Sequence, residues 1–277
     1  MSNTKLFSSQ KPKPSSSSSS SSSLHKANAE EGSSFNILNY ESWVSPEVLE
    51  PHSVLRQQIQ LTHNSSKNEF SFFPCSKEER VCWQHKHKDE NEPEFIYMYK
   101  FLFEKLSISL PFSKFQCDFL ATLNVAPTQL HPQTWGYMKA FEILCSCVGI
   151  EPSVSKFLYF FSFQSCASGK AGWISARRRP GRWLVGPFDF TCRYWKNKFF
   201  RVRSSFFFDE GGNPRFPLHW TTDRVVSYHT FEIEQLNEVE RDEVQQLGRL
   251  PKFHCAADLI KKFNENRHAL MSHICKL

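Results

Sequence analysis

The 277-residue chain lacks any apolar run long enough to cross a membrane. Its most apolar stretch, Phe157 to Phe163, is about one third of the roughly 20 residues that a spanning helix needs. No continuous apolar stretch follows Met1, so the sequence shows no secretory signal. The nine cysteines are odd in number and widely scattered, which favours reduced thiols over a disulfide framework. We therefore expect an intracellular protein that does not associate with membranes.

The sequence also lacks recognisable motifs that bind a metal ion or a phosphate group. The one local group of soft ligands, Cys75, Cys82, His85 and His87, is spaced Cys-x6-Cys-x2-His-x-His. Structural zinc sites use ligand pairs about two to four residues apart, so this spacing does not fit. Gly169-Lys170 is followed by alanine and lacks the earlier glycine of a phosphate loop. We expect no metal and no cofactor.

The N-terminal 34 residues have almost no apolar side chains to bury. They include nine consecutive serines, Ser15 to Ser23, and a disordered tail is the expected state of such a composition. The remaining ~240 residues are rich in large apolar side chains, and the whole chain contains 27 phenylalanines. They can bury a substantial core.

The first part of this core region contains segments that predict different secondary structures. Ser45-Pro46-Glu47 has the form of a helix start and predicts a helix over Val48 to Leu61. The polar stretch from Asn64 to Pro93 predicts a loop or linker. The dense apolar run Phe95 to Tyr99 fits either a strand or the start of a buried helix that reaches Leu106.

Helical periodicity dominates residues 113–163 and returns in the C-terminal part of the chain. Ser113 is placed to cap a helix that ends near Asn124, Pro132 opens a second that Gly149 stops, and Ser153 caps a third. Further helices are predicted around Asn237 to Leu247 and from Ala256 to Leu277. In the last of these, one seam could dock on the protein's own helices or pair weakly with a second chain. The seam consists of Ala256, Ile260, Phe263, Arg267, Leu270, Ile274 and Leu277.

The positive excess of the chain lies entirely in residues 170–203, which carry ten Lys or Arg against one acid, Asp189. Aromatic residues alternate with these cations, as phosphate attraction combined with base stacking requires. Trp173 to Ala176 and Trp183 to Val185 predict a hairpin with Pro180-Gly181 in its turn and the arginines at its tip. The alternative is that the aromatic residues belong to the core and the arginines solvate a sheet edge. The candidate nucleic-acid-binding residues are Lys170, Arg177, Arg178, Arg179, Arg182, Arg193, Trp195, Lys196 and Lys198.

Six short motifs follow one another along the chain, namely Leu110-Pro111-Phe112, Leu123 to Trp135, Phe141 to Cys145, Gly149 to Ser153, Phe157 to Phe163 and Gly172-Trp173. In this order they resemble the plant "putative transposase, gypsy type" domain, which occurs in gag-like regions of long-terminal-repeat retrotransposons and in proteins derived from them. The resemblance runs from about Ser45 to about Trp220. It implies a retrotransposon origin and a role connected with an RNA genome, but no catalytic residues.

The sequence therefore predicts an α+β protein with a predominantly helical core, a small β-hairpin and a disordered N-terminal tail. Its expected parts are the tail at 1–34, the gypsy-type domain at 45–225 and a C-terminal helical segment at 231–277. We expect a non-catalytic gag-like domain that contacts RNA or other single-stranded nucleic acid. The alternatives are a module for protein–protein interaction or self-assembly, with weak self-association through Ala256 to Leu277, and an enzyme with an unrecognised site. Neither the Asp-Thr/Ser-Gly of a retroviral-type protease nor the Tyr-x-Asp-Asp of a reverse transcriptase is present.

Overall fold

The computed structural model describes residues 69–82, 93–165, 172–188, 195–222 and 230–275. All of them belong to the second of two compact units of the chain, which begins at Ser42. The predicted tail and the predicted helix at 48–61 lie outside these ranges. Helices dominate, and two small antiparallel sheets accompany them, so the α+β class is confirmed. The strands are β1 (Ser71–Phe73), β2 (Ile96–Tyr99), β3 (Phe161–Ser165), β4 (Ile174–Arg178) and β5 (Phe199–Arg203). The helices are α1 (Lys100–Leu106), α2 (Lys114–Leu123), α3 (Pro132–Val148), α4 (Val154–Phe160), α5 (Glu238–Arg249), α6 (Ala256–Glu265) and α7 (Arg267–Cys275).

The three-stranded sheet has the order β1-β5-β2, so its latest strand lies between its two earliest. Val202 of β5 is opposite Phe72 on one side and Ile96 on the other, and all three side chains are buried. The run Phe95 to Tyr99 supplies β2, so the strand reading of this stretch is confirmed, and the helix that reaches Leu106 begins only at Lys100. The loop predicted over 64–93 is wrong for residues 71–73, because a strand of three residues is too short to give a periodic signal.

The middle helices begin and end where their capping residues predict. Ser113 accepts from the backbone N–H of Gln116 at the start of α2, and Asn124 ends the helix with a φ of 51°. Pro132 is the first residue of α3, and Gly149 ends it with a φ of 70°. Ser153 caps α4 as expected, but that helix ends at Phe160, where β3 begins.

The small hairpin consists of β3 and β4, with Phe163 opposite Ala176. The pairing predicted between residues 173–176 and 183–185 is therefore wrong. The turn itself is confirmed: Arg182 N donates to Arg179 O at 3.2 Å, and Gly181 has a φ of 74°. Beyond this turn the chain leaves the hairpin and runs beside residues 253–256.

Helix α3 is the centre of the helical layer, and α1, α5, α6, α7 and β4 all pack on it. Rings of Phe115, Phe141 and Phe157 meet beneath it with centroids 5.4 to 5.8 Å apart. The continuous helix predicted over 256–277 is wrong at Asn266, whose side chain accepts from the N–H of Ala269 and so starts a new helix. Within the described ranges, no helix is long and apolar enough to span a membrane.

Candidate nucleic-acid interface

Arg179 and Arg182 do not lie free at a hairpin tip. Both guanidinium groups donate to the carbonyl of Phe231, at 2.7 and 2.9 Å, and both form ion pairs with Glu232. The guanidinium of Arg182 also lies 4.2 Å from the ring centre of Tyr159. These two arginines therefore clamp residues 231–232 onto the end of the β3–β4 hairpin and have a structural role.

This clamp gives a pH-dependent prediction. Hydrogen bonds from Arg179 and then Arg182 lower the pKa of Glu232. The clamp should therefore stabilise the fold above the ordinary glutamate pKa of about 4.3, and this contribution should be lost as the pH falls through the lowered folded value. We expect the difference in thermal midpoint between the wild type and Glu232→Gln to shrink towards zero as the pH is taken from about 7 to about 2.5. A difference that stays constant over this range would contradict the assignment.

The cations of β5 also have internal partners. Arg201 Nε donates to Glu79 Oε2 at 2.7 Å, and its guanidinium lies 4.5 Å from the ring centre of Phe95. Arg203 lies at the same distance from the ring centre of Phe73. Both side chains contribute to the sheet rather than to a free basic surface.

Trp195 is 3% exposed, so its predicted role in base stacking is wrong. Its ring packs at 4.6 Å from Tyr99 in the aromatic core, as the alternative reading of the aromatic residues expects. Lys196 is exposed, and its ammonium lies 4.5 Å from the ring centre of Trp173. Lys198 is half-buried, and its carbonyl accepts from Lys100 N at 2.9 Å. Of the remaining candidates, Lys170 and Arg193 lie outside the described residues.

A different group of cations surrounds Trp183, whose side chain is 42% exposed. The guanidinium of Arg178 lies 4.7 Å from its ring centre, and Lys252 Nζ donates to its carbonyl at 2.9 Å. The ring of His254 lies 6.5 Å away in an edge-on arrangement. We refer to Arg178, Trp183, Lys252 and His254 as the Trp183 cluster.

The Trp183 cluster depends on a close approach of two backbone segments. Val185 pairs with Phe253 in a parallel bridge, and Gly186 N donates to Phe253 O at 2.7 Å. This contact brings residues 252–254 beside Trp183, although Lys252 is 69 residues further along the chain. Partial burial lowers the pKa of Lys252. Arg177 is exposed at the preceding position of β4, where the alternation of side chains along a strand directs it to the opposite face from Arg178.

Lys252 and His254 are the site residues that the sequence did not indicate. Neither lies in a basic or aromatic-rich stretch, and each is flanked by residues typical of an ordinary loop. Their proximity to Trp183 is a product of the 185–253 pairing, which leaves no local pattern in the sequence. Arg178, in contrast, is among the candidates that the sequence predicts.

Of the four residues of the zinc motif, the structure describes Cys75 and Cys82. Cys75 is buried beside Glu79, and burial raises the pKa of its thiol, which disfavours the thiolate that binds metal. Cys82 is exposed, and His85 and His87 lie outside the described residues. Within the described ranges, no group of three His, Cys, Asp or Glu side chains is arranged to hold a metal ion.

His131 is a half-buried titratable group with a structural role. Its Nδ1 accepts from the N–H of Gln133 at 3.1 Å at the start of α3. Burial lowers the pKa of His131 to about 4, so the ring is neutral at physiological pH and can remain an acceptor. A helix cap and packing against Trp195 account for this residue without a catalytic role.

Part of this chain is similar to a transposon-related family. Residues 96–165 match the family model described as "Putative gypsy type transposon". The match confirms the resemblance to a gypsy-type family over a segment from β2 to β3, about a quarter of the chain. This segment is shorter than the span of the resemblance, and the wider domain boundaries stay a prediction. No curated protein matches the chain, and no solved structure matches it.

Proposed function

We propose that this protein is a non-catalytic, gag-like domain of retrotransposon origin that contacts single-stranded nucleic acid through the Trp183 cluster. The observation that carries this proposal is an exposed tryptophan with cationic groups on its ring and at its backbone. A solvent-exposed aromatic ring can stack on an unpaired base, while neighbouring cations attract the phosphates. The match to a transposon-related family is consistent with a partner of this kind.

The surface chemistry favours the Trp183 cluster over the other cations of residues 170–203. Arg179, Arg182 and Arg201 are used in ion pairs with Glu232 and Glu79. In contrast, no salt bridge holds Arg178 within the described residues, and its stacking on Trp183 leaves donors of the guanidinium for phosphate. The binding surface is therefore smaller than the basic stretch suggests.

The absence of catalysis is part of the same proposal, and the roles of the buried ionisable groups support it. Glu79 accepts from Tyr97 Oη and Arg201 Nε, both at 2.7 Å. Lys156 is paired with Glu243 at 2.7 Å and ties α4 to α5. Each of these groups is saturated by structural partners, whereas a general acid or base has to reach a substrate.

The test is the affinity of the full chain for a labelled single-stranded RNA, measured for Trp183→Leu against a matched control. Loss of one stacked base should weaken binding by about fivefold to a hundredfold. The control is Phe206→Leu, which removes an aromatic side chain of similar exposure, 39%, that stacks on Phe70. Equal affinities for the two variants would contradict the proposed surface.

A charge test uses Arg178→Gln. This variant should lower the slope of log affinity against log salt by about 0.7 on a single strand, because one phosphate contact is lost. Arg179 and Arg182 are left intact, since their loss would disturb the clamp on residues 231–232. Lys261→Gln in α6 is the control for a surface cation and should leave the slope unchanged.

Self-association through Ala256 to Leu277 stays a prediction. Ala256, Ile260, Leu270 and Ile274 are buried, and α6 and α7 pack on α3 of the same chain. These four seam residues are therefore covered within one molecule, whereas Phe263 is half-buried and Arg267 is exposed. No observation favours an assembly function over the nucleic-acid contact.

A further inference from the structure

A groove of about 450 Å³ lies between α3, the segment 109–113 before α2, and the junction of α6 with α7. Helix α3 contributes four side chains at helical spacing to its floor, namely Lys139, Glu142, Ile143 and Ser146. Its volume is within the range of small-molecule sites. None of its lining residues belongs to the Trp183 cluster.

The two cations of this groove have unused hydrogen-bonding capacity. Lys139 is half-buried, yet it makes no hydrogen bond or ion pair with any residue that the structure describes. Arg267 makes one hydrogen bond within the same ranges, from Nη2 to Ser146 Oγ at 3.3 Å. Because a guanidinium has five N–H donors and an ammonium three, most of the donors at this groove have no protein acceptor.

The one acid in the groove does not neutralise these cations directly. Glu142 accepts from Ser113 Oγ at 2.5 Å and from Gln116 Nε2 at 2.8 Å, so both of its oxygens are used at the start of α2. Burial raises the pKa of Glu142, while the charge of Lys139 opposes that shift. Within the described residues, no salt bridge joins either cation of the groove to a carboxylate, although the charge of Lys139 interacts with that of Glu142.

The remaining lining is apolar. Phe112 and Ile143 are almost fully buried, and Phe263 is half-buried beneath the guanidinium of Arg267, 5.5 Å from its ring centre. Pro111 lies at the edge of the same wall. Convergent polar donors beside an apolar wall are the usual composition of a small-molecule site.

We propose that this groove binds a small amphiphilic anion, with Lys139 and Arg267 holding a carboxylate or phosphate head and the apolar wall of Phe112, Ile143 and Phe263 covering a short hydrocarbon part. Both heads are supported by the same chemistry, because cationic N–H donors form charge-assisted hydrogen bonds with either. The hydroxyl groups of Ser109 and Ser146 in the lining provide further donors.

The experiment is calorimetric titration of the full chain with octanoate and, separately, with octyl phosphate, octanol and inorganic phosphate. Binding of octanoate or octyl phosphate with a Kd at or below about 1 mM, and at least about tenfold tighter than octanol and inorganic phosphate, is the expected result. The tighter of the two amphiphiles identifies the preferred head. Equal binding of octanol, or no binding of either amphiphile below about 10 mM, would overturn the proposal.

Substitutions of the two groove cations test whether the amphiphile binds in this groove. Lys139→Gln and Arg267→Gln should each weaken the amphiphile by about tenfold or more, because each removes a charge-assisted contact. Lys114→Gln is the matched control, since that lysine is an exposed cation of α2 paired with Asp118. Because the two variants are made separately, one remains informative if the other misfolds. Circular dichroism of each variant verifies its fold. Unchanged affinity in both folded variants, or an equal loss in the control, would place the anion elsewhere and reject the groove.

Discussion

Gly186→Ala is expected to lower the free energy of unfolding by about 3 kcal/mol, at the upper end of what overpacking costs. A Cβ atom at this position would lie 1.7 Å from the carbonyl oxygen of His254 and 2.3 Å from its carbonyl carbon. Both obstacles are backbone atoms, so no side-chain rotation can relieve the contact. Relief requires the segment around Gly186 to separate from residues 253–254, which breaks the hydrogen bond from Gly186 N to Phe253 O.

The matched control is Gly248→Ala in α5. No atom lies within 4 Å of a Cβ added there, and alanine is a better helix former than glycine by about 1 kcal/mol. We therefore expect this variant to be as stable as the wild type or more stable. Chemical denaturation measures both, and the Gly186 variant should also lose RNA affinity because the Trp183 cluster depends on the same contact. Similar stabilities for the two variants would show that residues 184–187 do not approach the C-terminal segment as closely as described.

Glu79→Gln should cost about 3 kcal/mol of stability. Glu79 is 1% exposed, and its carboxylate accepts from Tyr97 Oη, Arg201 Nε and the N–H of Ser76. The amide keeps the size of the side chain but leaves the guanidinium of Arg201 without its buried counter-charge. Loss of one partner of a buried pair is much more costly than loss of a surface pair.

Glu265→Gln provides the comparison, because Glu265 is an exposed residue whose carboxylate lies 3.9 Å from Lys261. It should change the stability by less than about 0.5 kcal/mol. Arg201→Met combined with Glu79→Gln should recover part of the loss, since the unpaired charge is then removed. If the double variant loses as much stability as Glu79→Gln and Arg201→Met lose together, or more, the two residues do not form a coupled ion pair.

The sequence predicted the helices of this fold well because their ends depend on local chemistry. Ser113, Pro132 and Ser153 each start a helix through contacts with residues in the first turn, and Gly149 ends one because of its own backbone freedom. The strands were harder to predict. Phe161 continues the apolar periodicity of α4, and its position in β3 is determined by pairing with Arg178, a partner that no local pattern identifies.

The candidate site shows the same division. The composition of residues 170–203 correctly indicated arginines beside aromatic rings, and Arg178 on Trp183 is such a pair. It could not indicate which cations were already used, because the partner of Arg179 is Glu232, 53 residues away, and the partner of Arg201 is Glu79, 122 residues away. A local count of charge thus overestimates a binding surface whenever distant acids neutralise part of it.

The position of β5 at the centre of its sheet has a consequence for synthesis of the protein. Strands β1 and β2 emerge from the ribosome long before residues 199–203, and they cannot pair through β5 until that strand is available. During this interval Phe72, Ile96 and Met98 have no sheet to cover them, so they present apolar surface of the kind that chaperones bind. The family-matched segment 96–165 ends before β5, so a nascent chain that stops there carries β2 without its partner. Emergence of residues 199–203 from the ribosome is therefore the step at which this sheet can first close.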